Sequence, residues 1–233
     1  VNLTQIQIPD TITDIGIDVF INCNSLSEII VSNSNNDYSS SSGVLFNKEK
    51  TILIQCPARI SGSYQVPDTV RSILDRALYG CFDLTDVTLS SNLISIGESA
   101  FRACKGIKNI IIPDTVESIG EYAFLNCTSL VSFSVANSNR FFSSENGVLF
   151  NKEKSVLIVC GGGKTGNYVI PESVKIIGNA GFGFCVSLTG ITLPDKLNAI
   201  GDYAILNCVG LTDIIIPSSV KSIGDYAFRD CEN

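Results

Sequence analysis

The sequence predicts an α/β solenoid, in which successive coils place a parallel β-sheet on one face and short helical turns on the other. Three observations carry that expectation. The segment GVLFNKEK occurs at residues 43–50 and again at 147–154, an internal duplication of 104 residues. Cys81, Cys104 and Cys127 are spaced by 23, as are Cys185, Cys208 and Cys231. Between those cysteines a fixed order of proline, glycine and phenylalanine recurs. Self-similarity at a period of roughly 20–50 residues marks a chain whose units bury their apolar faces only against neighbouring units.

Residues 107–129 show the basic unit. Ile107, Ile110 and Ile112 precede Pro113. Alternating β-branched residues predict a strand packed on one face, and Pro113, which cannot donate to a ladder, predicts its end. Val116 and Ile119 follow, then Gly120, which is expected to permit a sharp bend. Ala123, Phe124, Cys127 and Leu130 then fit one or two helical turns facing inward. Pro9, Pro67, Pro113, Pro171, Pro194 and Pro217 hold the strand exit, with Ser90 the departure. Gly16, Gly97, Gly120, Gly178, Gly201 and Gly224 hold the bend, with Leu74 the departure. Phe20, Phe101, Phe124, Phe182 and Phe228 hold an aromatic core position, replaced by Leu78 and Ile205 in two units. Stacked coils set equivalent residues about 4.8 Å apart, so a phenylalanine ladder and an isoleucine ladder are expected.

Two longer units, at about 32–67 and 136–171, break the pattern. In the first, Val44-Leu45-Phe46 and Ile52-Leu53-Ile54 flank the polar stretch Asn47–Lys50; in the second, Val148-Leu149-Phe150 and Val156–Val159 do the same. Two apolar runs around a short polar turn predict a β-hairpin, expected to replace the helical side of one coil with strands. Ser39–Ser42 reads as an exposed loop. The chain, 1–233, reads as one continuous array. Its start just before a strand and its stop at Cys231-Glu232-Asn233, inside a unit, suggest a piece of a longer array, with both ends open to end-to-end self-association.

Composition narrows the function. No apolar run approaches the roughly 18 residues of a membrane span, and Val1-Asn2-Leu3-Thr4 has no features of a signal peptide. The net charge is −7 with scattered Lys and Arg, so no basic stripe favours nucleic acid. There is no His, which removes the commonest general base and metal ligand.

The skeleton Ile112-Pro113-Asp114-Thr115-Val116, Ile119-Gly120, Ala123-Phe124 and Cys127, with its equivalents in the other units, resembles the 23-residue leucine-rich repeat of the Treponema pallidum type, whose proteins are called BspA-like. Seven such motifs and the two hairpin-bearing long coils extend the resemblance over essentially the whole chain. It implies a curved right-handed superhelix with a parallel concave sheet. It also implies display on, or secretion from, a microbial or protist cell, with adhesion to host cells or matrix proteins.

The candidate chemistry is sparse. Nine cysteines raise a disulfide or metal reading, since residues 23 apart become neighbours in a stack and meet the Cα spacing of a disulfide. Buried thiols fit better, because free Cys packs as a small hydrophobe and parallel side chains suit the disulfide dihedral poorly; Cys56 and Cys160 are expected in the hairpin layer. Gly161-Gly162-Gly163-Lys164-Thr165 hints at a phosphate loop, but Ile158 stands where the motif needs glycine, and a flexible turn is the plainer reading. Asp10, Asp68, Asp114, Asp195 and Glu172 follow the strand-exit proline. Turn hydrogen bonds explain them better than oxygen ligation of Ca²⁺. Asn2-Leu3-Thr4 and Asn126-Cys127-Thr128 are sequons of weak weight. No catalytic residue, cofactor or metal site is assigned.

The outward residues of the strands are the expected contact face for a protein ligand. They form one row of Ile30, Thr88, Ile111, Ser134, Thr192 and Ile215 and a second of Glu28, Asp86, Asn109, Ser132 and Asp213, with Gln5, Gln7 and Gly190 completing the two. Ile111 and Ile215 are apolar where solvent is expected, which reads either as β-propensity or as a contact patch. Asn35, Asn36 and Tyr38, with Arg140, Phe141 and Phe142 in the second copy, are expected in variable loops that select partners; Phe141 and Phe142 alternatively cover the hairpin. The leading expectation is a non-enzymatic protein-binding or adhesion module; a structural spacer and an intracellular interaction scaffold are the alternatives.

Overall fold

Each repeat folds into three short segments joined by corners, and none of them is a helix among the described residues. A computed structural model describes residues 2–232. They fall into two compact units, Val1–Gly106 with Thr115–Phe124, and Ile107–Asp114 with Leu125–Asn233. In chain order the first contains β1 (Gln5–Ile8), β2 (Glu28–Val31), β3 (Tyr38–Ser41), β4 (Val44–Asn47), β5 (Ile52–Gln55), β6 (Gly62–Gln65), β7 (Ser72–Ile73), β8 (Leu84–Thr88) and β9 (Ser95–Ile96). β10 (Asn109–Ile112) belongs to the second unit and β11 (Ser118–Ile119) to the first. The second continues with β12 (Ser132–Val135), β13 (Phe142–Glu145), β14 (Val148–Asn151), β15 (Val156–Val159), β16 (Gly166–Val169), β17 (Ile176–Ile177), β18 (Leu188–Thr192), β19 (Ala199–Ile200) and β20 (Ser222–Ile223).

Each unit is a β-solenoid. The first segment of a coil is a strand that ends at or just before the exit position, where Pro9, Pro67, Pro113, Pro171 and Pro194 have no N–H to continue the ladder; β2, β8 and β12 end at the equivalent place without proline. The corner that follows is closed by the main chain, with Val70 N donating to Pro67 O at 2.9 Å and Val174 N to Pro171 O at 3.0 Å. The second segment is a two-residue strand ending in Ile. Ser72, Ser95 and Ser118 stand in parallel register, with Ile73, Ile96 and Ile119 beside them. Here the 23-residue spacing becomes a ladder.

The third segment corrects the expectation of helical turns. Ala77 N bonds to Leu74 O, Tyr79 N to Arg76 O and Cys81 N to Leu78 O, a chain of overlapping β-turns. Arg76 and Gly80, third in two of these turns, have φ of 56° and 72°. The pattern recurs at Ser99 and Ala103 and at Tyr203 and Asn207. A left-handed residue costs roughly 1–2 kcal/mol outside glycine and rules out a helix. In return the alternate N–H groups point along the stack: Arg76, Leu78 and Gly80 donate to Glu98, Ala100 and Arg102 at 2.8–2.9 Å, and Phe101 donates to Ala123 at 2.8 Å. The segment is too short to sustain a helix alone, whereas the neighbouring coil offers acceptors.

The conserved-looking bend glycine also has a different cause from the one expected. Gly97 and Gly120 lack the positive φ of a bend; the left-handed residues are Ser99 and Tyr122, two positions later. A Cβ on Gly97 would lie 2.5 Å from the backbone nitrogen of Asp75 in the preceding coil, and Gly120 is as crowded by Glu98. The glycines permit close approach of coils. Leu74 replaces glycine in the coil after the first hairpin, whereas the coil after the second keeps Gly178.

The phenylalanine ladder is present. Phe101 and Phe124 are buried and stacked, with centroids 5.3 Å apart and planes 12° from parallel, and Leu78 continues the row. In the second unit Phe182 and Ile205 are buried, with half-buried Phe228 packed against the same core. Each buried aromatic contributes roughly 1.5–3 kcal/mol of transfer free energy.

The long coil departs further from expectation. The predicted hairpin strands β4 and β5 form, and β5 joins β7 in parallel. Ser39–Ser41, expected in a loop, instead belong to β3, antiparallel to β4. The β3–β4 turn is Ser42-Gly43, both with positive φ, and Asn146-Gly147 matches it; this is the geometry of a two-residue type I′ turn. That turn lies against the strand face. Gly43 O accepts from Ile29 N at 2.9 Å and Ser40 Oγ from Val31 N at 3.0 Å; Gly147 O and Ser144 Oγ do the same for Phe133 and Val135. The hairpin therefore occupies the free edge of β2, and in the second unit that of β12. The continuous parallel sheet expected on the strand face is instead a set of separate pairs: β1–β2 and β6–β8 in one unit, β10–β12 and β16–β18 in the other. The six-stranded sheets, β11-β9-β7-β5-β4-β3 and β13-β14-β15-β17-β19-β20, run through the second segment and the hairpin.

Asn35, expected in a variable loop, is buried and fastens the hairpin to the coil before it. Its Nδ2 donates to Pro9 O and Ile12 O at 2.8 Å, and its Oδ1 accepts from Asp37 N and Tyr38 N. Asn139 likewise donates to Pro113 O and accepts from Phe141 N and Phe142 N. Tyr38 and Phe142 lie in β3 and β13, Tyr38 half-buried and Phe142 buried; Asn36, Arg140 and Phe141 stay exposed. Removing a buried amide leaves its partners unsatisfied, at about 1–3 kcal/mol per group. Asn139→Ala should therefore lower stability by about 3 kcal/mol, read as a fall in the urea midpoint, while Arg140→Ala changes it by less than about 0.5 kcal/mol.

Candidate functional site

The outward rows read from the sequence fall on different strand pairs. In the first unit Glu28 and Ile30 stand opposite Gln5 and Gln7 on β1, and Gln5 Nε2 donates to Glu28 Oε2 at 2.8 Å. Asp86 and Thr88 stand opposite Ser63 and Gln65 on β6. In the second unit Asn109 and Ile111 stand opposite Ser132 and Ser134, and Thr192 stands opposite Val169 on β16. Ile30 and Ser132 are half-buried and the other nine predicted residues are exposed.

Four outward residues escaped the sequence reading: Ser63, Gln65, Asn167 and Val169. Their strands leave the hairpin coil, yet both run into the same exit proline, Pro67 and Pro171, and that signal marks them. Val169 is 62% exposed and Ile111 67%.

Asp213 and Ile215 lie on a stretch that forms no ladder with β18. A groove of about 350 Å³ opens there, lined by Asn167, Ile191, Thr192, Asp195, Asp213 and Ile215 among others. It brings Thr192, Asp213 and Ile215 together. Ile215 is 85% exposed on its rim. No Lys or Arg lines it, and neither Asp195 nor Asp213 has an ion pair among the described residues.

The cysteines belong to the interior. All nine are thiols, seven of them buried, with Cys23 and Cys231 half-buried. In coils that follow a basic coil the thiol donates back along the stack to the carbonyl of the aromatic position one coil earlier, whereas Cys81 and Cys185, which follow the hairpin coils, reach Pro57 O and Gly161 O. Cys104 Sγ lies 3.1 Å from Leu78 O, Cys208 Sγ 3.0 Å from Phe182 O and Cys231 Sγ 2.9 Å from Ile205 O. A small apolar residue with a weak donor suits that place. Burial pushes Cys81 up to about 12, and burial with neighbouring Cys231 pushes Cys208 up to about 12. Burial raises Cys56 as well, and a hydrogen bond with Cys160 together with burial raises Cys185. The phenols of Tyr64 on β6 and Tyr168 on β16, both buried, are raised by burial as well.

Two other candidates have structural explanations. Gly161 and Gly163 pack against the backbone of Leu130 and Ser129, where a Cβ would collide, and Gly163 N donates to Leu130 O at 2.9 Å. The stretch expected to be a flexible turn is a closely packed one, and its glycines face protein. Among the described residues no group of three or more Cys, Asp or Glu is placed to hold a metal ion, and no helix is long and apolar enough to cross a membrane.

Stacked strand-and-turn coils of 23 residues, each carrying the Pro, Gly, Ala-Phe and Cys positions, define a leucine-rich-repeat protein. The chain matches the BspA type leucine rich repeat region over residues 1–64, 60–152 and 161–233, and it belongs to that family. Such repeats are generally non-catalytic and typically bind proteins. The chain is similar to a leucine-rich repeat protein from Eubacterium ventriosum, at 28% identity with a TM-score of 0.68, covering 97% of this chain and 58% of that one. It is also similar to a leucine rich cell surface protein from Faecalibacterium prausnitzii, at 24% identity with a TM-score of 0.74, covering 98% and 65%. A leucine rich repeat protein from T. pallidum matches at 23% identity with a TM-score of 0.52, covering 86% and 88%. The chain thus spans less than two thirds of the first two structures. No curated protein matches it.

The thiol positions make a prediction. In the native protein at pH 8, Cys56, Cys81, Cys104, Cys127, Cys160, Cys185 and Cys208 should resist iodoacetamide, and all nine should react in urea, as read by mass spectrometry. A folded-state pKa raised above the ordinary 9.0 means that the unfolded chain loses protons first. Stability is then full below pH 9 and falls from pH 9 towards 12, by about 1.4 kcal/mol per pH unit for each of Cys81 and Cys208.

Proposed function

We propose that this chain is a non-enzymatic protein-binding module of a cell-surface or secreted protein, adhering to a host-cell or matrix protein through the outward residues of its strands. The observation that carries this reading is the groove of the second unit, where Thr192, Asp213 and Ile215 meet. An isoleucine 85% exposed beside a groove of about 350 Å³ is costly to leave in water and useful to cover. Asp195 and Asp213 on its rim select a partner with basic residues. Membership of a repeat family that typically binds proteins supports the reading, as does the likeness to a cell surface protein of Faecalibacterium prausnitzii. Glu28, Ile30, Asp86 and Thr88 in the first unit, and Asn109, Ile111, Ser132 and Ser134 in the second, extend the contact face.

Surface plasmon resonance against purified extracellular-matrix and host-cell proteins tests this. The expected outcome is saturable binding to at least one, weakened about tenfold by Ile215→Asp, with circular dichroism unchanged. No saturable binding across the panel would favour a structural spacer. Binding confined to cytosolic partners would favour an intracellular scaffold.

A further inference from the structure

The first unit holds a second cleft, on the turn side of its coils and away from the strand face. It occupies about 290 Å³ and is lined by Ile15–Phe20, Ile54, Gln55, Leu74 and Asp75. Its origin is the long coil. After β5 the chain carries no turn block, so Ile54 and Gln55 form a recessed floor. The turn blocks of the coils on either side stand as walls, bridged by Arg76 Nη1 and Asp18 Oδ2 at 2.5 Å.

The repeat is its own control. Ile17 occupies a position held by Asp75, Glu98, Glu121, Asn179, Asp202 and Asp225 in the other coils. Leu74 stands where Gly97, Gly120, Gly178, Gly201 and Gly224 stand. Val19 replaces Ala77, Ala100, Ala123, Gly181, Ala204 and Ala227. All three departures line this cleft, and they are 85%, 41% and 54% exposed. Apolar residues at a polar, a glycine and an alanine position, gathered on one open cleft, do not arise from the packing that maintains the repeat.

The walls also carry unused main-chain groups. Arg76 N and Leu78 N donate to the next coil; their counterparts Asp18 N and Phe20 N have no acceptor among the described residues. Glu98 O accepts from the coil before it; its counterpart Asp75 O accepts nothing there. Two carboxylates, Asp18 and Asp75, and no Lys or Arg line the cleft. Asp75 has no ion pair, one of its oxygens accepting only from Glu98 N.

We propose that this cleft receives an extended, basic segment of a partner protein, which seats one large apolar side chain between Ile17, Val19 and Leu74. The segment's main-chain carbonyls accept from Asp18 N and Phe20 N, as a strand does when it is added to an open edge. A basic side chain of the segment lies beside Asp75, whose carboxylate has no ion pair, Asp18 being held by Arg76. This site is independent of the strand-face groove.

The chain contains no Trp, so a tryptophan peptide reports its own binding. Acetyl-Lys-Trp-Lys-amide should bind saturably in the micromolar-to-millimolar range with a blue shift of its emission. The Glu-Trp-Glu counterpart should bind at least tenfold more weakly. Ile17→Asn and Leu74→Gly install residues that other coils carry, and each should weaken binding about tenfold while the urea midpoint holds. Ile215→Asp should leave it unchanged, which separates this site from the strand face. Equal binding by the two variants and the parent, equal binding of the two peptides, or no saturable binding of either would overturn the proposal.

Discussion

The main-chain hydrogen bond from one coil to the next, repeated every 23 residues, is the constraint from which the rest follows. Donors such as Arg76 N and Ser99 N reach carbonyls of the following coil from left-handed residues, so left-handed turns replace a helix. The same bond draws the coils close enough that Gly97 can carry no Cβ. It sets Phe101 directly upon Phe124 and brings Cys104 Sγ to Leu78 O. Local backbone strain and a glycine requirement are the costs; ladder bonds and an aligned apolar interior offset them.

The hairpin coil shows what happens when that constraint is relaxed once. Its inserted residues extend the sheet of two-residue strands outward, and its type I′ turn folds back onto the edge of β2 or β12. A covered edge is protected from pairing with another chain, and the strand face is thereby interrupted after β2 and after β12. On the turn side the coil lies low, and the neighbouring blocks stand around it. Both groups of exposed apolar residues discussed above sit where regular stacking gives way: at the stretch beyond β18, and around Ile54 and Gln55.

These features fit the proposed binding role. The groups with strongly raised pKa values are interior thiols and phenols, neutral and held by packing. The carboxylates of the two grooves stand at the surface beside apolar residues, the arrangement on which the proposed recognition of a complementary surface rests. Identical scaffolds in the two halves leave specificity to the few positions where the halves differ, such as Ile17 against Glu121 and Leu74 against Gly178.

The period, the strands before Pro9, Pro67, Pro113, Pro171 and Pro194, the β4–β5 hairpin and the buried phenylalanine row were legible in the sequence alone, because each depends on residue spacing and on steric properties that proline, isoleucine and phenylalanine carry anywhere. The exposure of Ile111 on β10 and Thr192 on β18 was legible for the same reason, since side chains alternate along a strand; the stretch with Ile215 was expected to be a strand and is not one. What the tertiary structure decided was how the coils meet. Spacing of Ala123, Phe124 and Cys127 fits a helical turn as well as a chain of β-turns, and only acceptors on the next coil settle the choice. Ser39–Ser41 is polar enough for a loop, yet pairs with β4 because the partner strand is there. Asn35 looks like a surface residue until Pro9 O and Ile12 O are placed beside it. The grooves lay outside sequence reading altogether, for a cleft is made by backbone that is missing between two coils, and no single residue records that absence.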